Sequence, residues 1–433
     1  MKYASTLELG TEKETFSIPF TSVVVTSLIF SFFISWQSLG TAELVNLSPE
    51  YVGTLRYAAW ILCLDAIAVV PFASLRMARK AKRFALIKIA GIILNVICNV
   101  VFLVGYHMGV EGIFLSGVIS SAFVLLLLLP TIASLWTLTW VPRLFEALLR
   151  FGLPTVPAGI AAMMIQVINR PILESLTDKA TVGVFQANYR LGIFMMLIVS
   201  MFDFAWRPFF FTHARDKDAP DLFGKVLTYF LLLMVGVFLL LSFFLEDVVK
   251  APVFLGYAIL PAAYWGGLSI IPLILLAYIF LGISNNVVAG VYIEKQTKYL
   301  PVVTFIGAAA NIGANYLLIP RMGMMGAAVA TLVSYALMAV LLYFVSQRFF
   351  VIKYETGRIL KIVVSASIVF GLSRIVDLGE LQILWKLGLL ILFGGSLYAT
   401  RFFEPAELNR LASLFKRKGG ADSPTDLPGG LDS

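Results

Sequence analysis

Two consecutive apolar stretches carry the side chains best suited to hold an anion: Gln166 with Arg170, and Asn169 beside it, in the first, and Gln186 with Arg190 in the second. Each pair is four residues apart, which puts both members on one helical face. A guanidinium stays charged at any physiological pH, and its planar fork of donors matches phosphate oxygens. On antiparallel neighbouring helices these faces form one cationic wall, and the chemistry they predict is capture of an anionic headgroup. Other readings stay open: Arg170 snorkels to the outer interface, and Arg190 pairs with a local carbonyl or carboxylate. Asp65 and Asp203 are candidates to bind H+ or Na+ and couple a gradient to a conformational change. Structural pairing is the alternative for both, or for Asp203 a helix-end role. His107 and His213 stand alone in short loops, and Cys63 and Cys98 lie inside apolar runs, so no metal site, disulfide framework, catalytic centre or cofactor is expected.

The elements that position these residues are membrane spans. Hydrophobic residues make up 60% of the chain and charged residues 13%, and the mean hydropathy is +0.91, too apolar for a soluble globule of this length. A span needs roughly 20 mostly apolar residues, and twelve stretches qualify. Gln166 and Arg170 fall in the span at 152–172, and Gln186 and Arg190 in the one at 181–205. The fold class is all-α, polytopic. No secretory cleavage site follows the first apolar run, and the Gly-, Pro-, Asp- and Ser-rich tail from Lys418 reads as disordered.

Basic residues sort by loop. With the N-terminus cytoplasmic, 24 of the 33 Lys and Arg fall on the cytoplasmic side, which sets a topology with both termini inside. This accounts for the net charge of +8 and the pI of 9.3 without nucleic acid as a partner. Between the fourth and fifth spans, Leu144, Leu148 and Phe151 oppose Arg143 and Arg150, the pattern of an amphipathic helix on the cytoplasmic surface.

The chain also repeats itself. Asn95 and Asn99 recur as Asn311 and Asn315, 216 residues on, and Gly109 and Gly112 as Gly323 and Gly326, 214 residues on. The recurring asparagines suit hydrogen bonding between helices, and the small residues suit close helix approach. Pro154, Pro157 and Pro272 supply kinks or hinges. On this ruler residues 1–134 form an N-lobe of four helices, 135–151 a linker, 152–346 a C-lobe of six, 347–403 an appended helix pair, and 404–433 a cytoplasmic tail. The first two C-lobe helices map before Met1, so either that pair was lost from the N-lobe or the reading frame starts upstream. Repeats with an even span count are related by an axis along the membrane normal, as in carriers that alternate access between two lobes.

The runs RFGLPTVPAGIAAMMIQVINRPIL, VGVFQANYRLGIFMMLIVSMFDFAWRPFFF and YIEKQTKYLPVVTFIGAAANIGANYLLIPRMGMMGAAVAT resemble the polysaccharide biosynthesis protein family of oligosaccharide flippases. That family lies within the multidrug, oligosaccharidyl-lipid and polysaccharide exporter superfamily, and the similarity runs from Lys2 to about Phe403. It implies a bacterial inner-membrane protein that moves an undecaprenyl-pyrophosphate-linked oligosaccharide to the outer leaflet for O-antigen, lipopolysaccharide, capsule or exopolysaccharide assembly. Relatives carry Asp-Arg where this chain has Asn169-Arg170, and they begin with two more helices. A second reading is an ion-coupled multidrug antiporter of the same superfamily, for which an acidic cavity is expected. A third, a membrane polymerase or glycosyltransferase, conflicts with the short loops.

Overall fold

The computed structural model describes residues 11–44, 48–78, 80–153, 156–254, 257–376 and 378–403; Pro154, Arg79 and the expected disordered tail lie outside them. The chain divides into two compact units, Met1–Pro154 and Thr155–Ser433.

Unit 1 is built from α1 (Glu12–Trp36), α2 (Ser38–Leu44), α3 (Val52–Met77), α4 (Ala81–Val100), α5 (Gly109–Leu135) and α6 (Pro142–Gly152). α1 opens with a capping box: Glu14 N–H donates to Thr11 Oγ1 at 3.3 Å, and Thr11 N–H donates to Glu14 Oε2 at 2.8 Å. This satisfies two of the donors a helix start leaves free. α4 ends in a π-helical turn over Val101–Gly105. α1 packs on α3, α3 on α5 and α4 on α5. α6 is the expected amphipathic helix; it packs against α1, and Leu144 is buried.

Unit 2 comprises α7 (Val156–Val167), α8 (Asn169–Leu176), α9 (Lys179–Tyr189), α10 (Ile193–His213), α11 (Ala219–Lys250), α12 (Ile271–Val287), α13 (Ala289–Ile293), α14 (Tyr299–Met322), α15 (Met324–Phe349), α16 (Thr356–Ile375) and α17 (Gln382–Ala399). One short antiparallel pair, Pro252–Phe254 with Tyr257–Ala258, interrupts the helical pattern after α11. The core lies along α11 and α12, where Phe230, Met234, Leu239, Ile274, Leu275 and Ile279 are buried together. α16 and α17 dock on α11, burying Ile362, Val369, Leu389 and Phe393 and pairing Lys386 with Asp247 at 2.5 Å.

Among the described residues, ten helical stretches are long and apolar enough to cross a membrane. The other two expected spans are helical as well: one is broken into α7 and α8, and the other, α16, carries Arg358, Lys361 and Arg374.

The internal repeat holds at the level of side-chain contacts. Asn99 Nδ2 donates to Asn95 Oδ1 and to Asn95 O, both at 2.9 Å; Asn315 Nδ2 donates to Asn311 Oδ1 at 3.0 Å and to Asn311 O at 2.8 Å. Gly109 and Gly323 open the following helices with φ of 57° and 56°, a region open to glycine at no steric cost. Gly91 packs against Val124, and its counterpart Gly307 packs against Met338, the counterpart of Val124.

Candidate substrate site

The segment holding Gln166, Asn169 and Arg170 is an interrupted span. Pro171 follows Arg170 directly, has no N–H to give the Val167 carbonyl, and crowds that carbonyl with its ring, so the helix breaks at Ile168. Asn169 and Arg170 therefore open α8. The second span breaks too: α9 ends at Tyr189, and Arg190 starts a 3-10 turn, Arg190–Gly192, before α10. Both candidate cations thus sit at interruptions in apolar spans. Broken membrane helices free backbone polar groups at such points, and they are the usual architecture of substrate sites in carriers.

Asn169 is 1% exposed and faces the protein interior. Its Nδ2 donates to Thr331 Oγ1 at 2.7 Å, and its Oδ1 accepts from Asn315 Nδ2 at 2.8 Å. It joins α8 to α14 and α15, with both ends of its amide engaged. Arg170, one residue on, is exposed and close enough to Tyr189 to act on it electrostatically. α8 and α9 pack together, which brings Arg170 to the residue preceding Arg190. Arg190 is exposed as well. Among the described residues neither guanidinium has an ion pair or a hydrogen bond to another side chain. Gln166 and Gln186 are half-buried, and Gln186 Nε2 is buried without a hydrogen-bond partner among the described residues.

A tyrosine cluster backs this region. Tyr189 lies edge-on to Tyr278, with ring centroids 6.4 Å apart, and Tyr278 lies 6.4 Å from Tyr335. Sequence reasoning missed these three because they come from separate helices, and it missed Pro171, whose place after Asn169-Arg170 was plainly legible. The start of α9 is fixed by Asp178, which accepts from Thr181 N–H at 2.9 Å and from Thr181 Oγ1 at 2.8 Å. Those hydrogen bonds, the backbone one foremost, hold its carboxyl below the usual aspartate range.

The two acids divide. Asp203 is engaged by Arg207 four residues on, at 3.0 Å. Asp65, in unit 1, is exposed and accepts from Ser121 Oγ at 2.7 Å. Among the described residues no group of three or more His, Cys, Asp or Glu is placed to hold a metal.

Among the described residues, ten helices long and apolar enough to cross a membrane, a repeated hairpin and cations at two successive helix breaks fit a multi-pass transporter fold. Residues 9–264, more than half the chain, match the family model described as polysaccharide biosynthesis protein, and the chain belongs to that family. Solved structures of the same fold include the lipid II flippase MurJ in an inward closed conformation, with a TM-score of 0.70 at 16% identity over 91% of this chain and 86% of that one. An inward-facing multidrug resistance transporter of the MATE family matches with a TM-score of 0.60 at 14% identity, covering 78% of this chain and 80% of that one. A superfamily transporter from Pyrococcus furiosus, whose title speaks of a binding pocket of reverse polarity, matches at 0.59 and 12% identity over 78% of each chain. At these identities the likeness is one of fold. No curated protein matches the chain.

Proposed function

We propose that this protein flips a polyprenyl-pyrophosphate-linked oligosaccharide, the undecaprenyl-linked units of O-antigen, capsule or exopolysaccharide assembly included, from the cytoplasmic to the outer leaflet of the bacterial inner membrane. Both termini are cytoplasmic in this reading, and the two lobes alternate access by rocking. The observation that carries it is the placement of Arg170 and Arg190 at breaks in successive spans with no carboxylate engaged to either among the described residues. A charged side chain inside a span is costly, up to about 2.5–3.5 kcal/mol at the centre on insertion scales, and an anion that visits would offset that cost. A pyrophosphate supplies the charge and the forked acceptors that guanidinium and the Gln186 amide can serve. Asn169 supports the site from behind by fixing α8.

Coupling to H+ or Na+ falls to Asp65 in this scheme, because Asp203 already has Arg207 as its counter-ion. The antiporter reading draws on the same Asp65 and on the MATE-like fold, but the free cations favour an anionic cargo.

The test is a flipping assay in proteoliposomes with a fluorescent polyprenyl-pyrophosphate glycan, scored by access of an impermeant quencher. Arg190→Glu is expected to slow flipping roughly tenfold or more, the loss of one charge-assisted contact of about 1.5–3 kcal/mol. An undiminished rate in that variant overturns the headgroup role.

A further inference from the structure

Unit 1 contains a cavity that plays no part in the site above. It has a volume of about 400 Å³ and lies between the start of α1, the end of α3, the start of α4 and the end of α5. Its described lining residues include two cations, Lys80 and Arg83, and four hydroxyl side chains, Thr15, Ser74, Thr131 and Ser134, with no carboxylate. Thr131 is 6% exposed, and its Oγ1 has no hydrogen-bond partner among the described residues. A buried hydroxyl left unsatisfied costs about 1–3 kcal/mol, so its natural complement is a polar ligand in the cavity. The first turn of α4, from Ala81, brings the positive end of a helix dipole to the same place.

The duplicated half does not share this feature. Leu75, which lines the cavity, corresponds to Ala289 on the 214-residue ruler, and around Ala289 the space is filled by Trp206, Phe210 and Ile352. Ile352 is held there because Gln347 clamps its backbone, donating from Nε2 to the carbonyl at 2.8 Å and accepting from the N–H at 2.9 Å. The residue corresponding to Gln347 is Ala133, which has no such reach, and Leu138, the counterpart of Ile352, is 88% exposed. Gly290 and Ser346 touch at the helix ends in unit 2; their counterparts are the bulkier Arg76 and Ile132. Ala133 in place of Gln347 and the exposed Leu138 in place of Ile352 leave this end of unit 1 open.

We propose that this cavity binds a phosphate group, presented by the headgroup of an anionic lipid in the cytoplasmic leaflet or as free phosphate. Basic pockets between spans at the cytoplasmic face suit such headgroups, and Lys80, Arg83 and Thr131 supply charge and donors. The assignment uses no residue of the polyprenyl site and shares with that reading only the cytoplasmic orientation of the loops.

The experiment measures the rise in melting temperature of the full chain in neutral detergent on adding phosphatidylglycerol, phosphatidylcholine or inorganic phosphate. Phosphatidylglycerol is expected to raise it and phosphatidylcholine not to; a rise with inorganic phosphate alone would identify the free anion as the ligand. The double variant Lys80→Glu/Arg83→Glu is expected to abolish the rise, whereas Lys82→Glu, outside the cavity, keeps it. Thr131→Val is expected to melt no lower than the parent when bare, yet to need at least about threefold more ligand, the loss of one net hydrogen bond. No rise with either anion, a rise that survives in the double variant, equal losses in it and Lys82→Glu, or unchanged affinity in Thr131→Val would each overturn the proposal.

Discussion

The two halves of the duplication use the same hairpin to different depth. In unit 1, Asn95 and Asn99 on α4 are half-buried, and Asn95 Nδ2 reaches across to Ser120 Oγ at 3.1 Å. In unit 2, Asn311 and Asn315 on α14 are fully buried, because α7 and α8 cover them and Asn169 closes the network onto Thr331. One acceptor, the Oδ1 of Asn99 and of its counterpart Asn315, is left without a partner in both units. The shared core of the motif is therefore the i to i+4 amide contact, and the covering helices α7 and α8 are what turn it into a sealed polar joint. α8 carries Arg170 and packs against α9, which ends beside Arg190. In unit 2 the candidate chemistry and the tighter packing thus come from the same helices, and the described hairpin of unit 1 is the more open one, with a basic cavity at its end.

Four measurements probe this contrast. The largest effect is expected at Gly326, where an added Cβ would lie 2.5 Å from the backbone of Leu318, which cannot move aside. Gly326→Ala should destabilise unit 2 by about 3 kcal/mol, whereas Gly112→Ala, whose new methyl meets the Cβ atoms of Phe102 and Met108 at 3.0 and 3.1 Å, should cost less; equal melting shifts would contradict the difference in packing. Next, Asn169→Ala strips partners from Thr331 and Asn315 and is expected to cost roughly 2 kcal/mol, against about 0.6 kcal/mol for Asn99→Ala, both read as unfolding free energies in detergent.

Pro171→Ala separates the break from the fold. Restoring an N–H for the Val167 carbonyl should leave stability equal or higher, since a proline inside a helix costs about 3 kcal/mol, while flipping slows because Arg170 is re-aimed; unaltered flipping would remove the break from the mechanism. The smallest effect is at Asp178. Its carboxyl titrates lower in the folded protein than the ordinary value of 3.8 because Thr181 donates to the ionised form. Its contribution is therefore complete above that value and lost as the pH falls through the lowered one. Asp178→Asn should flatten this acid limb of the pH–stability curve and leave the neutral region nearly unchanged.

Some of this was written in the chain itself. Span positions follow from the length of apolar runs, because lipid forces every backbone group to be satisfied within its own helix. The duplication was legible from Asn95, Asn99, Gly109 and Gly112 and their recurrences, since an identical joint needs the same residues at the same spacing. The pairing of Asp203 was within reach as well, because Arg207 lies one helical turn away. What remained hidden depends on residues far apart in sequence. Asn169 stands beside Arg170 and reads as part of the same polar site; only the tertiary fold, by bringing Thr331 and Asn315 to within 2.8 Å, turns it inward. The cluster of Tyr189, Tyr278 and Tyr335 and the cavity around Thr131 likewise exist only once separate helices meet. Hydropathy and spacing act along one helix and are local; the partner that satisfies a buried polar group is chosen by the packing of the whole unit.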